Sequence, residues 1–539
     1  MGFSSRKILS GLVLLGAIIL AVVCTLPPHA LPTNAPVNEF SAERAIETIQ
    51  AITSSPRLVG SPAYENAKVY LLAQLTALGL ETDVQSTNLD GVSVENVLGR
   101  LEGSESTDAI LLSAHLDSVS NSPGATDDGS GVAEILETVR ALQAESPLRN
   151  AIIVLFTGPE ENCCYGAQAF VTQHPWAKDV RLVVNVDAGG LSGPSILAAT
   201  GSNAGWLTEE AAAIIPHPIG SSAIEALGSP ATDYTLMFRK AGWLGFDFNI
   251  SWNKSIHSPL DNINNLNPAS IQHQGEHVLA VVHHFGNLSL EFPKVPSPIY
   301  FDVLGLTMLY YPTSWAIYIL LIVTLVFVTV IYVGFRRKSL TFRGIGFGAV
   351  VFLLSLITTP LLLAVVQFAM IQPSLSVNAH LGPSLMGETL LSKSIRWGSM
   401  IFALTATFIW YLLFSKTKKV RKNDLAIGAY FLLYLGAFAS TVAFPAISYL
   451  FVWPLLVGLI AAFFWFLPRK GMADQKGWPQ FLGLLVEAAI AVVMFVPGVL
   501  IAVVSIDIRT IYFVPILLVV LLGFLILPSE YLFSKNQGK

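Results

Sequence analysis

Hydropathy divides this chain more sharply than any motif in it. Residues 314–533 are made largely of apolar runs, several at or above the ~20 residues that carry an α-helix across a bilayer. Residues 40–291, by contrast, have the mixed composition of a globular domain. The average over all 539 residues, 53% hydrophobic and 12% charged, hides this partition and excludes a purely soluble protein. Seven spans are expected in the C-terminal part, at 315–335, 344–371, 398–415, 424–443, 446–467, 481–504 and 511–530. An eighth, 8–26, precedes the globular region. It reads as a retained anchor, because its apolar stretch is longer than a signal core and no small-x-small site stands before Pro27.

If the spans alternate, Arg6 and Lys7, Arg336 to Lys338 with Arg343, the cluster from Lys416 to Lys422, Arg469 and Lys470, and Lys535 and Lys539 all fall on one side. By the positive-inside rule that side is the cytoplasm. Both termini are then cytoplasmic, and the globular region faces a periplasm, the cell exterior or an organelle lumen. The expected divisions are an anchor and Pro-rich linker over 1–37, a globular domain over 38–295, a linker over 296–314, the seven-span region over 315–533 and a tail over 534–539. Net charge is −5, with no long single-sign block except the basic loop 416–422, so no footprint of nucleic-acid binding is present and the bilayer is the evident partner. Three cysteines, one of them Cys24 inside the first span, make no disulfide framework. Oligomeric state is not specified by any feature of the chain.

Within the globular region, helical periodicity appears over 42–53 and 64–78, the second ending at Gly79 as a helix stop would. Short apolar runs at 109–114, 151–156, 182–186 and 243–248 read as buried strands, with a helix over 132–144. Such alternation predicts an α/β fold with a largely parallel central sheet. His115 and Asp117 directly follow the first strand, Glu160 and Glu161 follow the second after a short turn, and Asp187 ends the third. Open α/β sheets bind their ligands outside these carboxyl ends.

Singly, a histidine at a strand end or a pair of acids is usually structural. Joined by Asp127 in GATDDGSGV and by His257, they have the types and order that two zinc ions and a general base require: nitrogen and oxygen ligands, a carboxylate able to bridge, and a separate acid for the proton. His115, Asp127, Glu161, Asp187 and His257 supply five ligands, which leaves Glu160 for the proton. Asp117 is placed to accept from the His115 imidazole and fix its tautomer. Asp128 reads as a turn or cap residue rather than a further ligand. Zinc suits this ligand set, which also accepts manganese or cobalt.

The order H-x-D, D-D-G-S-G, E-E, N-x-D and a late H-S-P-L-D-N resembles the M28 zinc metallopeptidases over residues 41–288. The eight spans, PRLVGS at 56–61 and the TDY…GWLGFDF run over 232–248 are similar to the membrane-bound branch of that family. The resemblance implies a three-layer α/β zinc-exopeptidase domain with a central mixed, largely parallel sheet, joined to an α-helical multi-span membrane domain. It implies one zinc on His115, Asp127 and Asp187 and another on Asp127, Glu161 and His257, with Asp127 bridging. Glu160 would take a proton from the attacking water and return it to the leaving amine. The implied activity is an aminopeptidase acting on peptides or proteins. A glutaminyl-cyclase-like transferase and a non-catalytic, receptor-like ectodomain are its rivals. Asp233 and Tyr234 stand where the family carries an acid followed by an aromatic or His, which places them at the substrate pocket.

Other features stand outside this pattern. Asn162-Cys163-Cys164 follows the acidic pair where soluble members of the family have a Gly-Leu-type turn; packing or turn roles are expected for the cysteines, with redox sensitivity or metal contact as the alternative. His273-x-x-Glu276-His277 spells an inverted zinc signature. After it, the domain offers only Glu291 as a further carboxylate ligand, and its apolar neighbours predict a closing helix packed on the sheet. Sequons occur at Asn249, Asn253 and Asn287, and Glu487 is an acid inside a span.

Overall fold

The computed structural model describes residues 3–253, 255–377, 390–415, 421–467, 478–505 and 514–533. Two compact units make up the chain: Thr25–Tyr311 belong to one, while the other combines Met1–Cys24 with segments from Pro312 onward.

After helix α1 (Phe3–Val23), two serine-capped helices open the globular unit. Ser41 accepts from Arg44 N at the start of α2 (Ala42–Ile52), and Ser61 accepts from Tyr64 N at the start of α3 (Pro62–Ala77). Strands β1 (Glu81–Leu89) and β2 (Val92–Leu101) form a hairpin on Asp90-Gly91, both at positive φ as its two-residue loop demands. Next come β3 (Ala109–His115), α4 (Gly129–Leu142), β4 (Ala151–Thr157), α5 (Tyr165–Gln173) and β5 (Val180–Ala188). The unit continues through β6 (Ser192–Thr200), α6 (Gly205–Ile214), α7 (Ser222–Gly228), β7 (Leu244–Trp252) and α8 (Pro268–Gly286), then a separate hairpin, β8 (Ile299–Val303) with β9 (Thr307–Tyr311).

The seven-stranded sheet has the order β1-β2-β4-β3-β5-β7-β6. Strands β4, β3, β5 and β7 are parallel, and β1, β2 and β6 join antiparallel at the two edges. The expected mixed, largely parallel sheet is present. Its parallel strands are the ones legible as apolar runs, since a strand covered on both faces has no polar side to show; every residue of β3 and β4 is buried. Side chains alternate between two cores. Ile110, Leu112, Ile152 and Val154 pack with α3, α4 and α8, while Leu111, Ile153 and Leu155 pack with Phe170 of α5 and with Phe238.

The Pro-rich stretch expected as a spacer is strapped to this unit. Gln272 Oε1 accepts from Leu31 N and Ala42 N, and Arg44 donates to the carbonyls of Thr33, Ala35 and Glu39. Phe40, at the end of the strap, packs its ring against Gly275 of α8.

In the second unit α1 is joined by α9 (Trp315–Arg336), α10 (Phe342–Val377), α11 (Leu390–Ser415), α12 (Lys422–Ala443), α13 (Tyr449–Phe466), α14 (Trp478–Ser505) and α15 (Val514–Phe533). The described part of each apolar stretch read from the sequence lies mostly on a helix. Among the described residues five helices are long and apolar enough to cross a membrane, in α9, α10, α12, α13 and α14, and Ile8–Val23 and Val514–Pro528 are shorter apolar helices. The basic positions at 416–420, 469–470, 535 and 539 lie outside the described residues. Helices α10 and α12 approach through small residues: a Cβ on Gly428 would stand 2.4 Å from Ala349 N. Glu487 of α14 is fully buried and accepts from the Tyr430 hydroxyl of α12.

A Cβ on Gly275 would stand 2.1 Å from Phe40 Cζ. Gly275→Ala must therefore displace the ring, and a loss of about 1–3 kcal/mol is expected. Denaturant unfolding followed by tryptophan fluorescence checks this; combining it with Phe40→Leu should recover part of the loss.

Candidate metal centre

His115 is the last residue of β3, Asp187 sits near the end of β5, and Glu160 and Glu161 follow β4, so three neighbouring parallel strands deliver their ends to one crevice. Asp127 comes from the loop entering α4, and His257, at φ 59, from the segment after β7. The imidazole of His115 donates from Nδ1 to the Asp117 carbonyl at 3.1 Å, since a carbonyl can only accept; this leaves Nε2 for another partner. That nitrogen lies 3.0 Å from Asp127 Oδ1. On the other side of the same carboxylate, His257 Nε2 lies 3.0 Å from Oδ2 and 3.1 Å from Glu161 Oε2.

Asp127 thus meets one histidine on each oxygen, as a bridging carboxylate must. Ligand atoms ~2.0–2.2 Å from a tetrahedral zinc stand ~3.3–3.6 Å apart, so these contacts need only a few tenths of an ångström to admit a cation. His115, Asp127 and Glu161 each present a ligand atom within 4.8 Å of the others. Glu161 Oε1 is buried without a hydrogen-bond partner, a loss that a metal bond would relieve. Asp187 Oδ1 accepts from Ala188 N at 2.6 Å, and its charge acts on both His115 and Asp127. The donor set fits zinc.

Electrostatics follow from packing these groups out of water. Burial lowers the His115 imidazole, but Asp117 and Asp127 outweigh it and hold it well above its ordinary range. Bonds to Asp127 and Glu161 push His257 up to about 10. For Asp127 burial raises the carboxyl, yet the two imidazoles pull it below the usual range. Burial pushes Asp187 up to about 7 and Glu160 well above its ordinary value, neighbouring acids adding to both. An elevated carboxyl beside a cation site is the condition of a general base working near neutral pH.

Asp117 has two tasks. Its carboxylate pairs with His115 Nδ1 at 3.6 Å, and it also accepts from the backbone N–H groups of Glu160 at 2.9 Å and Glu161 at 3.2 Å. The residue meets the imidazole most closely through its carbonyl and aims the acidic pair with its side chain. Asp128 caps α4, accepting from Gly131 N at 3.1 Å, while its other oxygen accepts from His115 N at 3.0 Å.

Two supporting residues carry no metal-like spacing and were not singled out in the sequence. Asp261 accepts from Thr126 N at 2.7 Å and Asp127 N at 3.1 Å, so HSPLD fixes the Asp127 loop as well as supplying His257. Arg57, in PRLVGS, is fully buried and donates to the carbonyls of Leu116, Pro123 and Gly124, tying the His115 and Asp127 loops together. Of the expected pocket pair, Asp233 lies beside Glu160 and Cys164. Tyr234 turns away and packs in the core with Phe170 and Phe238, because its ring fills the space above Gly245. The inverted zinc signature is structural. His273 accepts from Ser195 N and donates to the His217 carbonyl, His277 donates to the Pro216 carbonyl and meets Ser195 Oγ, and Glu276 bonds Gln272. Asn249 is buried in β7 and accepts from Gly189 N, which leaves its sequon inaccessible in the fold.

Residues 96–282 match the family described as Peptidase family M28. The chain is 32% identical to endoplasmic reticulum metallopeptidase 1 of Mus musculus over 317 residues, covering 51% of this chain and 34% of that protein. It is 33% identical to the vacuolar membrane protease of Candida dubliniensis over 264 residues, 45% of this chain and 28% of that one. The chain therefore spans about a third of the length of these relatives. Among solved structures, an aminopeptidase from Aneurinibacillus sp. strain AM-1 aligns at 16% identity and TM-score 0.39 over 48% of this chain and 98% of that one. A Porphyromonas gingivalis glutaminyl cyclase aligns at 18% and 0.38, over 46% and 99%.

Arg57→Lys keeps a charge but cannot reach three carbonyls at once, so a loss of about 1–3 kcal/mol in chemical denaturation and weaker zinc retention are expected. A second expectation concerns pH. Burial holds His273 down to about 4 and His277 well below its ordinary value. A histidine kept neutral by the fold binds fewer protons than when unfolded, so its contribution is full above ~6.5 and is lost as pH falls toward about 4. In His273→Gln, the proton uptake that accompanies unfolding near pH 5, read from the slope of stability against pH, should drop by about one.

Proposed function

We propose, from the Peptidase family M28 domain that this chain carries at residues 96–282, that the protein is a membrane-anchored, zinc-dependent aminopeptidase acting on peptides outside the cytoplasm. The observation that carries this reading is the Asp127 carboxylate set between His115 and His257, each at 3.0 Å, with the half-buried Glu160 close enough for its charge to act on His115. His115, Asp127 and Asp187 would hold one zinc, and Asp127, Glu161 and His257 a second. Zinc in such a setting supplies Lewis acidity, making water acidic near neutral pH and polarising a carbonyl.

The protein's own residues do the rest. Asp117 holds the backbone of Glu160 and Glu161, which would leave Glu161 to hold a metal and Glu160 to take the proton. Glu160 accepts the proton of the attacking water and donates it to the departing amine, which its raised affinity for a proton favours. Asp261 and Arg57 keep the two loops from relaxing as protons and ligands exchange. The names of the curated relatives, a metallopeptidase and a membrane protease, support the same assignment. The single-sided lysine and arginine pattern supports a non-cytoplasmic domain over 38–295 and a seven-span region over 315–533 with cytoplasmic termini.

The test uses the full chain in detergent with aminoacyl, N-blocked and N-terminal-Gln peptides. Glu160→Gln should lower kcat about 10²–10⁴-fold while KM and a zinc content of two per chain stay near wild type. Undiminished turnover removes Glu160 as the base. Cleavage of N-blocked peptides as fast as free ones defeats the aminopeptidase reading, and cyclisation of N-terminal Gln with one zinc replaces it with a cyclase.

A further inference from the structure

Glu160 also belongs to a second cluster, whose other members, Cys164 and Asp233, the peptidase reading does not use. Cys164 Sγ, a carboxylate oxygen of Glu160 and a carboxylate oxygen of Asp233 all lie within 4.8 Å of one another, and Sγ is 3.4 Å from Glu160 Oε1. We propose that these three residues form a further metal site, separate from the zinc pair, which takes a thiophilic divalent cation such as zinc or cadmium and silences the enzyme by engaging Glu160. The silencing half of this inference rests on the reading of Glu160 as the general base.

A thiol has one proton to give, and Cys164 faces two carboxylates with it, Glu160 and Asp233. Asp233 is 2% exposed; its Oδ2 accepts from the Thr157 hydroxyl at 2.6 Å, while its Oδ1 has no hydrogen-bond partner. An acceptor left unmet at that depth costs about 1–3 kcal/mol. With all three ligand atoms within 4.8 Å of one another, one divalent cation bonded to sulfur and to both acids meets the unpartnered Asp233 oxygen and the other two ligands together.

The spacing agrees. Zinc bonds of ~2.3 Å to sulfur and ~2.0 Å to oxygen at a tetrahedral angle put the two ligands ~3.5 Å apart, against the 3.4 Å between Sγ and Glu160 Oε1. Each ligand is also held. Thr157 fixes Asp233, Asp117 fixes the backbone of Glu160, and Cys164 sits at φ 61 immediately before α5, its N–H donating to the Glu160 carbonyl at 2.9 Å. Sulfur decides selectivity. Calcium and magnesium seek six or more oxygens, which this cluster does not offer, whereas a thiolate with two carboxylates favours zinc, cadmium or cobalt. On binding, the S–H bond breaks, a sulfur–metal bond forms and the proton leaves to solvent; no electrons are transferred. Cys163, exposed and outside the cluster, takes no part.

Cadmium is the probe, because its bond to a thiolate absorbs in the ultraviolet and reports the site independently of turnover. Full-length chain in detergent, loaded with two zinc ions, is titrated with CdCl2. Wild type and Cys163→Ser should each take up one further equivalent with a thiolate band and lose peptide turnover in step, and a chelator wash should restore it. Cys164→Ser should show neither the band nor the extra equivalent, and Asp233→Asn should weaken both. Absence of the band in wild type, or its persistence in Cys164→Ser, overturns the site. A band that grows while turnover is unchanged overturns the silencing role and points at Glu160 rather than the cluster. Loss of turnover in Glu160→Gln without cadmium tests the base assignment alone.

Discussion

One carboxylate organises this domain. Asp127 is gripped through its side chain by imidazoles from two distant parts of the chain and through its backbone N–H by Asp261. Its position requires that the end of β3, the start of α4 and the loop after β7 meet. A seven-stranded sheet with parallel centre strands brings them together, because β3, β5 and β7 lie side by side and point their carboxyl ends the same way. The remaining acids are tolerable only because that convergence also gathers positive charge. Without the two imidazoles, Asp127, Glu161 and Asp187 would be buried like charges, each raising the proton affinity of the next.

Much of this was legible in the sequence, and the reason is physical. A strand covered on both faces must be a continuous apolar run, so β3, β4, β5 and β7 announced themselves, and the residues that follow such runs were automatically candidates for the crevice. His115, Asp127, Glu161 and His257 come within hydrogen-bonding distance as a connected set. The apolar stretches after the globular domain were equally plain, and among the described residues five of the helices there are long and apolar enough to cross a membrane, where seven spans were expected.

What escaped is instructive for the same reason. Strands β1, β2 and β6 do not read as apolar runs: β1 alternates between exposed and half-buried residues along its length, while β6 is almost wholly buried but begins Ser-Gly-Pro-Ser and carries few large apolar residues. Its Asp90-Gly91 turn was a readable hairpin signal that apolar runs do not capture. Arg57 and Asp261 escaped because their work is done on backbone carbonyls and amides, which have no side-chain signature. Tyr234 was placed at a pocket with Asp233 by the family resemblance, yet consecutive residues leave the backbone in different directions: Asp233 lies beside Glu160 and Tyr234 in the core.

Asp128 shows how closely the site is wired to the body of the domain. One oxygen ends the donor deficit of a helix and the other holds the amide of His115. A fluctuation that frays the first turn of α4 therefore slackens the strand end carrying that histidine. The reverse also holds, because tension on His115 is transmitted to a helix whose residues are almost all buried. Such an arrangement leaves little room for a loose, partly assembled centre. The crevice should keep its shape for as long as the domain is folded, and exchange of the amides around it with solvent should track opening of the whole unit rather than local breathing.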